Sequence, residues 1–574
     1  MHIEDIRPGM CGIGKTVFHG TKIEDFNVEI IDIISGDQSS GEYILAQLNG
    51  GQLKKVGGIS AGMSGSPVYV EDKLIGAISH TWELSEHNLC LITPIERMLT
   101  LLEFPKGTIG LDDNQDYERA IHDVPNDTDS LRLKSETEIL KNVSLGQNFK
   151  KTKMNDIFSP ITTSLFINGL SGRAFDNLSN DLMKINLRAI QGMNGLYQSK
   201  LDNIGEDEAF KAEPGAAIGI QLTRGDVNIG SIGTVTYRMG DKLLALGHPF
   251  MRRGESAFFL SSVYIYHSLP NIVMPFKIGT PIKLIGQVSQ DRDAGIVGVL
   301  NTYPRIVPLK IQVEDLDTGR HYQMGIQMID DDFLLEPFIS NFTIQAIDNT
   351  VDRIGEGSAM IEIDINGAIQ EHKIFRKNMY CSKNDIATET IMEIPEISDL
   401  ITGNYFEKID LNEISIRISL TREIKCGRIE EIKLNKETFA SGSTLEAKIK
   451  IRTFREGLIE KKMIMQIPYL TDESEAVLVI RGGGIIDQFS EENSNEYSEK
   501  NPSTLKEAIK DISERTSNNE LVAEIILYNH ENTWGDEIMG VDSMNEEAGH
   551  LNVSRIDTGM VIEGFMEIPF RITP

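Results

Sequence analysis

The sequence predicts a mainly β protein with two six-stranded β-barrels, a helical insertion between them and a C-terminal β-sandwich. Two regions, 1–105 and 213–350, contain short apolar runs separated by Gly-, Asn- and Asp-containing turns, a spacing that favours small closed barrels. A third region from 424 onward repeats short alternating strands. A chain of 574 residues is long enough for three or four such units.

In the first region the predicted strands are 15–18, 26–34, 42–48, 67–70, 74–79 and 89–93. Residues 106–212 follow as an acidic linker and a mixed segment with helical character near 173–187. The second barrel, 213–350, takes its strands from 217–223, 232–237, 242–246, 257–266, 282–289, 295–300, 306–313 and 322–329.

An α/β connecting segment over 351–423 contains a predicted amphipathic helix near 386–401. From 424 to 574, strand spacing is typical of an immunoglobulin-like sandwich. A second predicted helix lies at 505–513. These regions contain no motif that carries recognisable chemistry.

Composition excludes two function classes. The formal net charge of −30 and the lack of clustered Lys and Arg argue against a nucleic-acid surface. The cysteines Cys11, Cys90, Cys381 and Cys426 form no CxxC pair, so no zinc or redox motif, and no metal or other cofactor, is expected. We predict that they are ordinary buried residues, with one or two disulfides as the open alternative.

The loop Gly62-Met63-Ser64-Gly65-Ser66-Pro67 is the strongest candidate for chemistry. Glycines on both sides of Ser64 allow a sharp turn that brings backbone N–H groups close to a reacting carbonyl. Two strand-like runs joined by a short turn follow the loop and predict a hairpin that would hold the serine on rigid structure.

This loop resembles the nucleophile loop of chymotrypsin-like serine peptidases, Gly-x-Ser-Gly-Gly-Pro, with Ser66 at the second glycine. More closely, it resembles the SpoIVB-type peptidases (the S55 family), whose signature is Gly-Met-Ser-Gly-Ser-Pro followed by a strand, a turn and Ile-Gly-Ala. That resemblance implies two chymotrypsin-like barrels and a serine endopeptidase with a protein or peptide substrate. It also implies self-processing or cleavage of one specific protein.

The second barrel carries a further resemblance to the same family, in which the catalytic histidine follows Ala-Leu-Gly. Here Ala245-Leu246-Gly247 precedes His248. The order is permuted, because Ser64 precedes His248, but catalysis depends on spatial geometry and not on chain order. His80 is the second choice of base, and its position at a strand end favours a packing role.

The resemblance implies the remaining site residues. The amides of Gly62 and Ser64 would form an oxyanion hole, and Ser66 would shape the loop. The family's aspartate stands about fifteen residues before the serine, where this chain has Asn49. Three aspartates are alternatives for the third member: Asp241, Asp291 and Asp293.

Two rival functions stay open. Loss of the aspartate at Asn49 favours a catalytically inactive scaffold with a peptidase fold. Residues 9–16 fit the P-loop pattern GxxxxGK[ST], which predicts nucleotide binding only if a loop and a helix follow a buried strand. The segment before residue 9 is short and polar, and the residues after Thr16 are strand-like, so this alternative is weak.

The sequence predicts no membrane-spanning helix, because it contains no apolar run of 18 residues. It also shows no signal-peptide core at its start. The chain is expected to be either cytoplasmic or a trimmed mature form, and the family resemblance favours an extracytoplasmic protein.

Overall fold

The computed structural model describes residues 1–35, 41–82, 88–104, 159–160, 164–185, 187–192, 212–271, 275–485, 502–527 and 553–574. Its strands are β1 Cys11–Val17, β2 Ile23–Ser35, β3 Glu42–Asn49, β4 Pro67–Val70, β5 Lys73–Thr81, β6 Leu89–Pro94, β7 Ser159–Pro160, β8 Ser164–Asn168, β9 Arg188–Gln191, β10 Ala217–Gly225, β11 Asn228–Met239, β12 Lys242–Ala245, β13 Gly254–Leu269, β14 Phe276–Arg292, β15 Gly295–Leu300, β16 Ile306–Asp315, β17 Arg320–Ile329, β18 Gly357–Gly367, β19 Ile374–Ser382, β20 Leu411–Thr421, β21 Cys426–Leu434, β22 Thr438–Ala440, β23 Thr444–Thr453, β24 Gly457–Gln466, β25 Ser474–Gly482, β26 Glu520–Leu527, β27 Ser554–Asp557, β28 Val561–Glu563 and β29 Phe565–Thr573.

The α-helices of the described residues are α1 Gly51–Lys55, α2 Ile95–Leu99, α3 Gly172–Lys184, α4 Leu335–Val351, α5 Ile386–Thr390, α6 Ile394–Thr402 and α7 Leu505–Glu514. The protein is therefore mainly β, as predicted. Tertiary contacts divide the chain into two units: Met1–Gly169 with Ser179–Arg305, and Leu170–Leu178 with Ile306–Pro574. None of the described helices is both long and apolar enough to cross a bilayer.

The first unit begins with a closed six-stranded barrel. Its strands pair in the order β4-β1-β2-β3-β6-β5, and β4 also pairs with β5, which closes the ring. Alternation determines which face of each strand lines the core: along β2 the side chains of Phe26, Val28 and Ile30 are buried, while the residues between them are exposed. All six strands predicted for 1–105 are present.

The same unit contains a second ring of six strands. They pair in the order β10-β13-β14-β15-β12-β11, and β10 also pairs with β11. The two long strands β13 and β14 pair along most of their length, with several register shifts that bend them. β8 and β9 extend this sheet from β11.

Two strands predicted for the histidine-bearing barrel belong elsewhere. β16 and β17 fall within the second unit. β16 pairs in parallel with β20, a strand that lies about a hundred residues further along the chain. Apolar alternation predicted the two strands correctly, but it does not show which other strands they pair with.

The second unit contains a sheet in the order β19-β18-β20-β16-β17, against which α4 packs. Two further sheets, β24-β23-β21-β28 and β22-β29-β25-β26-β27, enclose one apolar core. The helix predicted near 386–401 is divided into α5 and α6. Pro395 lies in the first turn of α6, where its missing N–H needs no partner.

The P-loop alternative requires a correction. Residues 11–17 form β1, which pairs with β2 and β4, and no helix follows it. Thr16 is completely buried. Because an extended strand inside a barrel cannot cradle phosphates at a helix N-terminus, the nucleotide-binding interpretation of this segment is wrong.

Candidate active site

The nucleophile loop between α1 and β4 is shaped by two glycines with left-handed backbone. Gly62 has φ +97° and Gly65 has φ +91°. A Cβ atom on Gly65 would lie 2.0 Å from the carbonyl oxygen of Thr234. Only glycine fits the turn and the close approach at this point. The loop backbone therefore packs directly against β11 of the second ring.

Three carbonyl groups of this loop accept hydrogen bonds from β11. The hydroxyl of Thr234 donates to Gly62 O at 2.9 Å, its amide donates to Ser64 O at 2.8 Å, and the hydroxyl of Thr236 donates to Gly65 O at 2.8 Å. Both threonine side chains are fully buried. Because each carbonyl has a fixed partner, the peptide planes around Ser64 have one orientation.

His248 follows β12 and meets the serine from the second barrel. Its Nε2 lies 2.8 Å from the Oγ of Ser64, although the two residues are 184 positions apart in the chain. Both residues are buried, with 1% and 3% of their surface exposed. The hydroxyl and the imidazole are at the distance that proton transfer requires.

The backbone before His248 is strained. Leu246 adopts φ +70°, which is unfavourable for a side chain of its size, and Gly247 adopts φ +73°. Thr93 of the first barrel donates to Gly247 O at 2.6 Å. This hydrogen bond fixes the turn that presents the imidazole.

The other ring nitrogen of His248 sets its tautomer. Nδ1 lies 2.8 Å from the carbonyl oxygen of Pro249, which can only accept. Nδ1 therefore carries the proton and Nε2 is the free acceptor that faces Ser64. Burial lowers the pKa of His248 to about 4, against a smaller opposing effect of the Pro249 hydrogen bond. The imidazole is consequently neutral near pH 7, as a general base must be.

Two buried N–H groups of the loop stay available. Met63, Gly65 and Ser66 donate their amides to other backbone carbonyls. Within the described part of the chain, no such bond is donated by the amides of Gly62 or Ser64. Both residues are buried. Unpaired amides are rare in protein interiors, which makes this pair a candidate for binding an acceptor.

Comparison with known families agrees with this geometry. Residues 2–99 match the family model described as SpoIVB peptidase S55. The resemblance seen in the sequence is thus confirmed. No curated protein and no solved structure matches the chain. The family match spans the serine-bearing barrel and ends before the segment that carries His248.

The structure does not bring Asn49 to the histidine. Asn49 is exposed at the end of β3, opposite Asn27. The carbonyl of Pro249 holds the Nδ1 of His248, where the resemblance implied Asn49. A carbonyl selects the tautomer, as an asparagine would, but stabilises an imidazolium less than a carboxylate does.

The three alternative aspartates have different positions. Asp241 is exposed, and Asp293 forms a surface ion pair with Arg252. Asp291 is buried and accepts the amides of Phe250, Met251 and Arg253, at 2.7, 2.7 and 3.2 Å. It therefore fixes the loop immediately after His248.

His80 lies beside His248 as a half-buried imidazole. The ring centroids are 6.2 Å apart, and Nδ1 of His80 lies 2.8 Å from the Oγ of Ser79. Burial, with smaller effects of His248 and Arg97, lowers the pKa of His80 to about 3. His80 packs against His248, whereas His248 contacts Ser64. The hydroxyl of Ser66 is buried and, among the described residues, has no partner.

Sequence reasoning missed Lys277. It is completely buried on β14, and its Nζ donates to the hydroxyl of Thr16 at 2.8 Å and to Gly62 O at 3.2 Å. Burial lowers the pKa of its amine to about 7. The backbone of this segment also bonds to the loop, through Ala61 N to Pro275 O and Lys277 N to Ala61 O. The sequence signal that could have indicated this buried amine is the position of Lys277 between the apolar residues Phe276 and Ile278.

Replacement of Asp291 tests its role in positioning the base. We expect Asp291→Asn to lower the rate of Ser64 modification by a fluorophosphonate about tenfold, because the new amide cannot accept from all three N–H groups. Asp293→Asn is the matched control, and its exposed ion pair predicts a rate within about twofold of wild type. Second-order labelling rates are measured for both variants, with circular dichroism as the check on folding. Equal rates for the two variants would contradict the assignment.

Replacement of Lys277 tests its burial as an amine. A depressed pKa means that the unfolded chain binds more protons between about pH 7 and 10.5, so stability from this residue is lost as pH falls through that range. We expect the free energy of unfolding of wild type to be lower at pH 7 than at pH 10. Lys277→Met is expected to reduce this difference between the two pH values by a few kcal/mol. Lys283→Met, at an exposed position on the same strand, is the control and keeps the wild-type pH dependence.

Urea titrations at the two pH values measure this difference. Identical pH dependence of Lys277→Met and wild type would show that the amine is not buried as a neutral group.

Proposed function

We propose that this protein is a serine endopeptidase that cleaves peptide bonds through an acyl-enzyme. The observation that carries the proposal is the 2.8 Å contact between Ser64 Oγ and the Nε2 of His248, whose Nδ1 faces Pro249 O. A serine hydroxyl is a weak nucleophile without a base at this distance. Both residues are buried, where the base stays neutral at neutral pH.

The proposed mechanism uses only side chains and amides of the first unit. Ser64 Oγ attacks the substrate carbonyl while Nε2 of His248 accepts its proton. The amides of Gly62 and Ser64 donate to the oxyanion that develops, which is the role for which unpaired, preorganised N–H groups are suited. His248 then returns the proton to the leaving amine, and water attacks the acyl-enzyme with His248 again as base.

The third member of the proposed site is a main-chain carbonyl. Pro249 O orients the imidazole, and Asp291 orients the loop that contains Pro249. Because a neutral carbonyl stabilises imidazolium less than a carboxylate, we expect slower turnover than in peptidases with an aspartate at this position.

We also propose that the two six-stranded rings correspond to the barrels of chymotrypsin-like peptidases in permuted order. One ring supplies the serine and the next supplies the histidine. The C-terminal sheets are proposed as an immunoglobulin-like module that binds partners. By family analogy, the substrate is this chain itself or one specific protein.

An inactive scaffold is the second candidate function. It is favoured by the missing carboxylate at Nδ1 and by the nearly complete burial of Ser64. In that case the loop and the histidine would form a packed remnant of a peptidase site.

Active-site labelling separates these two candidates. We expect a fluorophosphonate probe to label wild type on Ser64 and to leave Ser64→Ala unlabelled. We expect His248→Ala to react at least about a hundredfold more slowly than wild type. Ser66→Ala is the matched control, because it removes the neighbouring hydroxyl and leaves the nucleophile. Mass spectrometry of the digested protein locates the label.

Absence of label from folded wild type would put the scaffold function first. Label on Ser66, or undiminished labelling of His248→Ala, would contradict the proposed pair.

A further inference from the structure

Two cysteines of the second unit approach each other from different sheets. Cys381 is at the end of β19 and is half-buried, and Cys426 begins β21 and is buried. They are 45 positions apart in the chain, and no sequence motif connects them.

The backbone brings them together. Cys381 lies opposite Ser358 in the pairing of β18 with β19. The hydroxyl of Ser358 accepts the amide of Lys425 at 2.8 Å, and Lys425 precedes Cys426. Ser358 is therefore the immediate neighbour of both cysteine segments.

A second set of contacts joins the same two segments. The Nζ of Lys383 lies 5.4 Å from the ring centroid of Phe454, and the amide of Phe454 donates to Cys426 O at 2.9 Å. The two stretches 381–383 and 425–426 are thus held side by side by independent interactions.

We propose that Cys381 and Cys426 form an oxidisable dithiol whose disulfide fastens β19 to β21. This site does not depend on the proposed peptidase function, because every residue in it belongs to the second unit.

The surroundings give the two sulfurs different roles. The neighbouring Cys426 thiol lowers the pKa of Cys381, and the nearby Lys383 charge acts in the same direction. The Cys381 sulfur, burial and the Glu563 carboxylate, which accepts the Cys426 S–H, raise the pKa of Cys426. Cys381, which is the more exposed, is therefore the attacking thiolate, and Cys426 is the resolving thiol.

The proposed oxidation uses a small disulfide such as glutathione disulfide. The Cys381 thiolate attacks one sulfur of the oxidant, its S–S bond breaks, and one glutathione thiolate leaves. Cys426 then gives its proton to the Glu563 carboxylate, 3.2 Å from its Sγ, and attacks Cys381 Sγ. The second glutathione leaves as thiolate and takes up a proton, so two protein thiols are oxidised and one glutathione disulfide becomes two thiols.

The test is oxidation of the folded full-length chain by glutathione disulfide, followed by alkylation, proteolysis without reduction and mass spectrometry. We expect a linked pair of peptides that contain Cys381 and Cys426, and a melting temperature about 5 °C or more above that of the reduced protein. Cys90, which is fully buried, stays reduced as an internal control.

Three variants make the outcome specific. Cys426→Ser is expected to keep a stable glutathione adduct on Cys381 and to lose the oxidant-dependent rise in melting temperature. Glu563→Gln is expected to accumulate the same adduct transiently before the disulfide closes. Cys11→Ser removes the exposed thiol and leaves the linkage unchanged.

Recovery of both cysteines as separately alkylated residues would overturn the proposal. So would a lasting glutathione adduct on Cys381 in wild type, or a disulfide that involves Cys11.

Discussion

The candidate site depends on the hydrogen bonds by which β11 holds the nucleophile loop. Thr234 and Thr236 supply donors to the carbonyls of Gly62, Ser64 and Gly65, and all of these groups are buried. A buried carbonyl that loses its donor costs about 1–3 kcal/mol, so the loop has few alternative conformations. Among the described residues, the amides of Gly62 and Ser64 donate no backbone hydrogen bond. The geometry of the loop that contains Ser64 therefore depends on β11 of the second ring.

Burial keeps the two imidazoles of the candidate site uncharged near pH 7. His248 and Lys277 are buried and His80 is half-buried, and burial lowers the pKa of each. Desolvation thus keeps the imidazole of His248 uncharged, as its proposed role as base requires. The carbonyl of Pro249 completes the arrangement by fixing the tautomer. Asp291 affects the position of His248 indirectly, because it accepts the amides of the loop that follows His248.

Local patterns predicted the parts of the fold that local physics determines. Alternation gave all six strands of the serine barrel, and the Gly62 to Pro67 loop with the Ala-Leu-Gly-His segment identified the residues that the structure brings into contact. The P-loop pattern at residues 9–16 predicted the wrong chemistry. Most of these residues lie in strand β1, where Thr16 is buried and accepts a hydrogen bond from Lys277.

Other features depend on distant partners that one sequence does not reveal. β16 alternates like a barrel strand, yet its neighbour is β20. Spacing from the serine suggested Asn49, whereas a main-chain carbonyl, which has no sequence signature, takes that position. Lys277 was missed because β14 begins earlier than its apolar run suggests, with Gly279 and Pro281 interrupting the strand pattern. Cys381 and Cys426 similarly have no shared motif.

The most direct test of the account is the pH dependence of Ser64 phosphonylation, measured as a rate on folded protein. If His248 is a buried neutral base, the rate is constant across the neutral range and falls only as pH decreases through about 4. Circular dichroism at each pH confirms that the chain is still folded. A rate that halves near the ordinary imidazole pKa of about 6.5 would contradict the burial on which this account depends. A rate without any acid limb in folded protein would show that His248 is not the base.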